Sequence, residues 1–315
     1  MVGDNIAIII PMYNEESTIL SVINDLHRNL PNANIFVFDN NSSDKSFSLV
    51  ESKISKDSNT TNCYLNLLKV TTQGKGAVIR EAFSMINADI YIIIDADAQY
   101  DANILPKALN HFVKNKLDML NISRKTSDDT IYRRGHKLGN RVFSKITSLL
   151  FGKKFYDMLS GYRIFSKAFV KSFPAHSQGF EIETELTIFS LQQHLRVDEI
   201  EALYKARPCG SISKLSTFKD GLKILFMIAQ LLFTERPLLV FGSFSFLFFI
   251  LGIIFGLPVV FEFIQTSKVS RFPTLFVCIG FEIVSVIFAI AGLLSFLIVR
   301  NTKEMRHFIY LQHKS

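Results

Sequence analysis

Tryptophan is absent from this 315-residue chain, and its three cysteines, Cys63, Cys209 and Cys278, are scattered without CxxC spacing or a partnering histidine. That pattern excludes a disulfide framework and a zinc module, and it fits a reducing compartment. No basic, apolar leader opens the chain, because the apolar run at 6–10 is too short and passes straight into a polar turn; a cytoplasmic head is expected. GxGxxG is missing where a dinucleotide-binding fold would carry it, and Gly74-Lys75-Gly76 lacks P-loop spacing. Excess acid is missing too, the net charge being +7. No nucleic-acid motif accompanies that basicity. Lys205, Arg207, Lys214, Lys219, Lys223 and Arg236 precede one long apolar run, and Arg300, Lys303, Arg306 and Lys314 follow another. The cations therefore border a bilayer, and anionic lipid rather than nucleic acid is the expected partner.

Apolar side chains are what the chain has in plenty: 48% of residues are hydrophobic and thirty are Phe, crowded into the last third. Residues 238–261 and 274–299 are each long enough to span a membrane. Before them, Phe218, Leu222, Leu225, Ala229 and Leu232 recur at helical spacing opposite Lys219, Asp220 and Lys223, which reads as an interfacial helix ended by Arg236-Pro237. The expected division is a soluble head at 1–216, an interfacial helix at 217–236, a transmembrane hairpin at 237–299 and a basic tail at 300–315. By the positive-inside rule the head and both termini are cytoplasmic. Glu282, inside the second span, is expected to face another helix or be protonated, and a contact between subunits of a homo-oligomer is one way to bury it.

The head alternates strand and helix. Apolar runs at 6–10, 35–38, 64–70, 90–94, 117–122 and 197–203 read as strands with helical segments between the early ones, an α/β, doubly wound parallel sheet. Its centre is Ile90-Tyr91-Ile92-Ile93-Ile94-Asp95-Ala96-Asp97-Ala98-Gln99, a buried strand that ends in two acids. Residues two apart in extended backbone point the same way, so Asp95, Asp97 and the Gln99 amide can face one hard cation, Mg2+ or Mn2+. Alone, Asp-x-Asp reads more readily as a solvated loop or helix cap, with Asp101 opening the next helix. A strand end in an open α/β sheet, however, is where ligands gather.

Four motifs in order, Pro11-Met12-Tyr13-Asn14-Glu15, Asp39-x-x-Ser-x-Asp44, Gly74-Lys75-Gly76 and Asp95-Ala96-Asp97-Ala98-Gln99, resemble family 2 glycosyltransferases of the GT-A fold. Within that family the likeness is to polyprenyl-phosphate sugar transferases of the dolichol-phosphate mannose synthase kind. The resemblance implies metal-dependent, inverting transfer of a hexose from a nucleotide diphosphate sugar to a membrane polyprenyl phosphate. It places Pro11, Tyr13 and Glu15 in the nucleoside pocket, with Val37 and Asp39 reading base and ribose; Glu15 reads alternatively as an acid complementing a helix dipole. Lys75 lies beside the phosphates or is a solvated helix-start lysine. Asp95, Ala96 and Asp97 belong to the nucleotide-sugar site, Asp95, Asp97 and Gln99 to the metal, and Glu183 to the sugar hydroxyls. Arg124 and Arg141 are implied ligands of the acceptor phosphate. In Asp157-Met158-Leu159-Ser160-Gly161-Tyr162-Arg163 the aspartate orients acceptor or sugar, with general base as the lesser role. Arg207 and Lys214, in a segment resembling the family's Arg-x-x-Gly-x-Ser-Lys loop, would fold over the diphosphate.

The chain departs from the family's Asp-Asp-Gly-Ser after the second strand, having Asp39-Asn40-Asn41-Ser42. Asn41 can adopt the left-handed conformation that glycine would supply. Processive polysaccharide synthases carry Gln-x-x-Arg-Trp, which a chain without tryptophan cannot have. Transfer to another lipid or glycan acceptor, and a non-catalytic adaptor with a transferase-like head, are the remaining alternatives; intact Asp95, Asp97, Arg207 and Lys214 speak against the adaptor.

Overall fold

Three runs rich in isoleucine and valine become three adjacent strands. In the computed structural model, which describes residues 5–57, 65–125, 155–175, 179, 181–205, 233 and 236–314, β1 (Ile6–Met12), β2 (Asn34–Asp39) and β4 (Ile90–Ile93) run parallel, with β1 in the middle. β3 (Leu65–Lys69) extends the sheet beyond β2, and the full order is β3-β2-β1-β4-β6-β5-β7. β-Branched side chains fit a pleated surface buried on both faces. Ile8, Ile9 and Ile10 of β1 and Ile92 of β4 are accordingly at 0% exposure.

The other half of the sheet differs from the all-parallel expectation. β6 (Arg163–Ser166) runs antiparallel between β4 and β5 (Met119–Lys125), while β7 (Val197–Leu203) pairs parallel with β5 at the edge. Four residues with one buried charge among them give no periodic apolar signal, so β6 is hidden inside what reads as a loop motif. Helices α1 (Ile19–Asn29), α2 (Ser46–Asp57), α3 (Lys75–Met85), α4 (Leu105–Lys114), α5 (Lys167–Ser172) and α6 (Ile182–Gln192) complete the head. Asp101 caps the 3-10 turn that leads into α4, its carboxylate accepting from the Asn103 amide at 3.2 Å.

Two compact units emerge, Met1–Thr217 with Arg306–Ser315, and Phe218–Met305. The second is built on α7 (Pro237–Thr266) and α8 (Phe272–His313), both long and apolar enough to cross a membrane. Leu239 (65%) and Ile264 (70%) exemplify the exposed apolar side chains that suit lipid rather than a soluble core. The hairpin's own seam is aromatic and small-polar: Phe248 stacks on Phe288 with centroids 5.6 Å apart, and Ser245 meets Ser285 at 3.3 Å. Glu282 lies against Gly252 of α7 so closely that a Cβ there would collide with its carboxylate. The interfacial helix expected at 217–236 falls almost wholly outside the described residues. In the first unit, Tyr310, near the end of α8, is buried and donates to Asp118 Oδ1 at 2.9 Å.

Candidate active site

Two strand-end loops carry the first motifs, and they are sewn to each other. The Asn14 amide donates to Ser42 Oγ (3.0 Å), the Glu15 amide to Ser46 Oγ (2.8 Å) and the Glu16 amide to Asp44 Oδ2 (3.1 Å). In return the Ser43 amide reaches Asn14 Oδ1 (2.7 Å) and the Lys45 amide reaches Glu16 Oε2 (3.0 Å). Burial works to raise the Asp44 pKa, and hydrogen bonds from Ser46 and the Glu16 amide overcome it, holding the group below its ordinary value. Asn14 and Asn41 take positive φ, 51° and 61°, so Asn41 does adopt the left-handed backbone expected of it.

Asn40 explains the departure from the family pattern. Its Nδ2 donates to the carbonyls of Val70 (3.1 Å) and Thr72 (2.7 Å), and its Oδ1 accepts from the Gly74 amide (2.7 Å). An aspartate could not donate to two carbonyls. The asparagine thus fixes the loop that delivers Lys75 to the start of α3.

Of the residues expected at the nucleoside, Glu15 and Asp39 bring buried carboxylates to adjacent strand ends, and Tyr13, two residues before Glu15, is 37% exposed. Pro11 is half-buried in β1. Val37 and Ala96 lie in the hydrophobic core.

Lys75 is the centre of the site. Its ammonium pairs with Asp95 Oδ1 and with Glu183 Oε1, the latter at 2.7 Å, and the Lys75 and Glu183 side chains are only 8% and 7% exposed. Lys75 is therefore no solvated helix-start lysine. Burial opposes its charge, but Asp95 and Glu183 outweigh burial and hold its pKa well above the ordinary value. Glu183 moves up as well, from burial first and then from the nearby Asp95, because one ammonium is shared by two carboxylates. Among the described residues its Oε2 has no hydrogen-bond partner. Gly161 presses against this cluster, and any side chain there would run into Asp95 and the Lys75 ammonium. Asp97 is buried at 6% and accepts from the Gln99 amide at 3.3 Å across Ala98, which takes φ 56°. Non-glycine residues held at positive φ carry strain and concentrate at functional sites.

A second buried cluster faces β5 and β7. Arg124 grips Asp157 through Nε–Oδ2 (2.6 Å) and Nη2–Oδ1 (2.8 Å), and its amide adds a third bond at 3.2 Å. Burial raises the Asp157 pKa, but the charge and hydrogen bonds of Arg124 together with the charge of Arg163 outweigh it, and the carboxyl ends below its ordinary range. Glu199 accepts from the Asp157 amide (3.1 Å), the Tyr156 amide (2.7 Å) and Asn121 Nδ2 (2.6 Å). Arg163 is fully buried and supports the Asp157–Gly161 turn from beneath, donating to the Ser160 and Met158 carbonyls at 2.9 and 2.7 Å and to Thr187 Oγ1 at 2.7 Å. Burial brings the Arg163 pKa down to about 10. Sequence reading missed Tyr100 and Tyr204. The Gly161 amide donates to the Tyr100 hydroxyl at 3.0 Å, and the Tyr204 hydroxyl donates to Gln99 Oε1 at 2.8 Å. Arg141, Arg207 and Lys214 lie outside the described residues.

The donor set of Asp95, Asp97 and Gln99 is all oxygen, as a hard divalent cation requires. No group of three or more His, Cys, Asp or Glu among the described residues converges to hold an ion alone. Mg2+ is commonly held by one or two carboxylates with substrate phosphates completing the shell, so the residues fit such an ion.

An open α/β sheet with buried acids at the strand ends and a mixed second half defines the class, the GT-A glycosyltransferase fold. The family follows: residues 7–173 match the Glycosyl transferase family 2 model, and the chain belongs to that family and is a glycosyltransferase. Glycosyltransferase AglJ of Haloferax volcanii is 28% identical over 265 residues, 84% of each chain. A Methanococcus voltae protein named UDP-N-acetylglucosamine--dolichyl-phosphate N-acetylglucosaminyltransferase is 28% identical over 244 residues, 72% of this chain and 95% of its own. Glucosyl-3-phosphoglycerate synthase from Mycobacterium tuberculosis, crystallised with Mn2+, UDP and phosphoglyceric acid, superposes with TM-score 0.54 at 18% identity, over 73% of this chain and 78% of that one.

Proposed function

We propose that this glycosyltransferase moves a hexose from a nucleotide diphosphate sugar to a polyprenyl phosphate, with inversion and with Mg2+ or Mn2+ bound. One observation carries the reading: a buried cluster with more carboxylate than ammonium sits at the strand ends of a family 2 head whose chain also holds two membrane-length apolar helices. The names of the Methanococcus and Mycobacterium proteins, which join a dolichyl phosphate acceptor and a Mn2+–UDP complex to the same family or fold, support it.

In this reading Pro11, Tyr13, Glu15 and Asp39 form the nucleoside end, Val37 supports it from the core rather than lining it, and Lys75 and Glu183 form the sugar and phosphate end. Asp95, Asp97 and Gln99 would hold the metal, which when bound neutralises charge on the departing diphosphate. Arg207 and Lys214 are assigned to the same charge, and Arg124 and Arg141 to the lipid phosphate. A lipid phosphate oxygen bonds to the anomeric carbon while the bond to the nucleotide diphosphate breaks, and the electron pair leaves with the diphosphate. Phosphate monoesters have a second pKa of about 6, so the nucleophile needs no base at neutral pH. Asp157, tied to Arg124 and held acidic, then serves orientation. The packing of Tyr310 on Asp118 supports a tail and head on one side of the membrane, the cytoplasmic one by the positive-inside rule.

The test is a panel of radiolabelled UDP- and GDP-hexoses with membranes and undecaprenyl phosphate. Label should become organic-soluble with Mn2+ and not with chelator. Label that stays in water with every donor would refute the lipid acceptor.

A further inference from the structure

Tyr204 stands where the two halves of the site meet. It directly follows β7, its backbone bridges that of Tyr100, and its amide donates to the Lys125 carbonyl at 3.0 Å. Its hydroxyl donates to Gln99 Oε1 at 2.8 Å, while Gln99 Nε2 donates to the Lys205 carbonyl at 3.1 Å and the Lys205 amide to the Gln99 carbonyl at 2.8 Å. The Gln99 amide is thereby fixed at both ends in one flip state. On its other side Tyr204 meets Arg124, whose guanidinium lies 5.4 Å from the ring centroid. The Tyr100 ring packs edge-on at 5.0 Å and holds the phenol in place.

We propose that Tyr204 is a positioning residue that couples the metal-holding turn, through Gln99, to the acceptor-phosphate arginine, through Arg124. The inference rests on the function proposed above. A hydroxyl donating to an amide oxygen fixes the direction in which that oxygen can face a cation, which is how outer-shell partners tune a metal site. Because Arg124 also grips Asp157, the Tyr204 ring fixes both the donor side and the acceptor side from one point.

The test uses the full chain in detergent and compares Tyr204→Phe, which keeps the ring, with Gln99→Ala and the double variant. Mn2+ affinity in the presence of UDP or GDP, whichever supports binding in the parent, is read from the free-ion EPR signal, beside melting temperature and the two KM values. Tyr204→Phe should weaken Mn2+ binding about tenfold, within the range for outer-shell losses, and raise KM for the lipid phosphate several-fold with kcat less affected. The double variant should bind Mn2+ no more weakly than Gln99→Ala, because the phenol acts through that amide. If Tyr204→Phe melts early, the parent is compared with Gln99→Ala, which leaves the Tyr204 ring packing alone; a parental Mn2+ affinity there overturns the coupling. Parental Mn2+ affinity and KM in a well-folded Tyr204→Phe protein, or additive losses in the double variant, overturn the coupling and leave the function standing. A parent protein that binds no Mn2+ with either UDP or GDP overturns both.

Discussion

The head contains two buried ionic clusters built on opposite plans. Around Lys75 one ammonium serves two carboxylates, and Glu183 keeps a buried oxygen without a partner among the described residues. Around Asp157 the charges match, Arg124 engages both carboxylate oxygens, and the turn beneath is held by Arg163. Buried charge left short of partners is costly and persists where a ligand completes it, whereas a matched bidentate pair fixes geometry. The first cluster is built to receive something and the second to hold something still.

Removing Lys75 should break this contrast most severely. Lys75→Met strands the buried Glu183 carboxylate and takes the partner from the half-buried Asp95, and a loss of about 3–5 kcal/mol in stability is expected, with transfer abolished; a denaturant titration and the partition assay check both. Next in size, Asp157→Asn removes the countercharge of Arg124 and should cost transfer about tenfold to a hundredfold, chiefly in KM for the lipid acceptor. Its pH profile should keep the parent's shape near neutrality, because a carboxyl held below its ordinary range cannot act as a base titrating there; loss of an alkaline plateau in the variant would return the base role to Asp157.

Acid should separate the clusters by sign. Asp157 has a lowered pKa, so the unfolded chain binds more protons and the stability it contributes is lost as pH falls through the folded value. Glu183 has a raised pKa, so the folded chain binds more protons, and its contribution falls as pH rises from the unfolded value through the folded one. Carboxyl carbon NMR should show the two midpoints on opposite sides of the ordinary carboxylate range. A smaller effect is expected from Asn40→Asp, which sets a carboxylate against two carbonyls and should lower stability by about 1–3 kcal/mol. Tyr310→Phe should be smallest, about 1 kcal/mol in a melt, since Asp118 keeps the Arg196 amide at 2.9 Å.

How far the sequence could be read follows the same division. β-Branched runs announced β1, β2 and β4, and the acids at the end of β4 mark the candidate site, because burial on two faces and a sudden change to carboxylate are both local signals. β6 was not legible: its residues look like a motif rather than a strand, and its antiparallel place depends on partners far away in sequence. Asn40 reads as a lost charge, although its value lies in two donated bonds to a loop thirty residues on. Tyr204 reads as the start of a loop, and nothing nearby says that its hydroxyl reaches back to Gln99.

The most direct measurement is calorimetric titration of parent, Asp97→Asn and Asp157→Asn proteins with UDP- and GDP-hexoses, with and without Mn2+. The account predicts metal-dependent binding of one donor to the parent, retained in Asp157→Asn and lost in Asp97→Asn. Donor binding that survives Asp97→Asn and disappears in Asp157→Asn would contradict it.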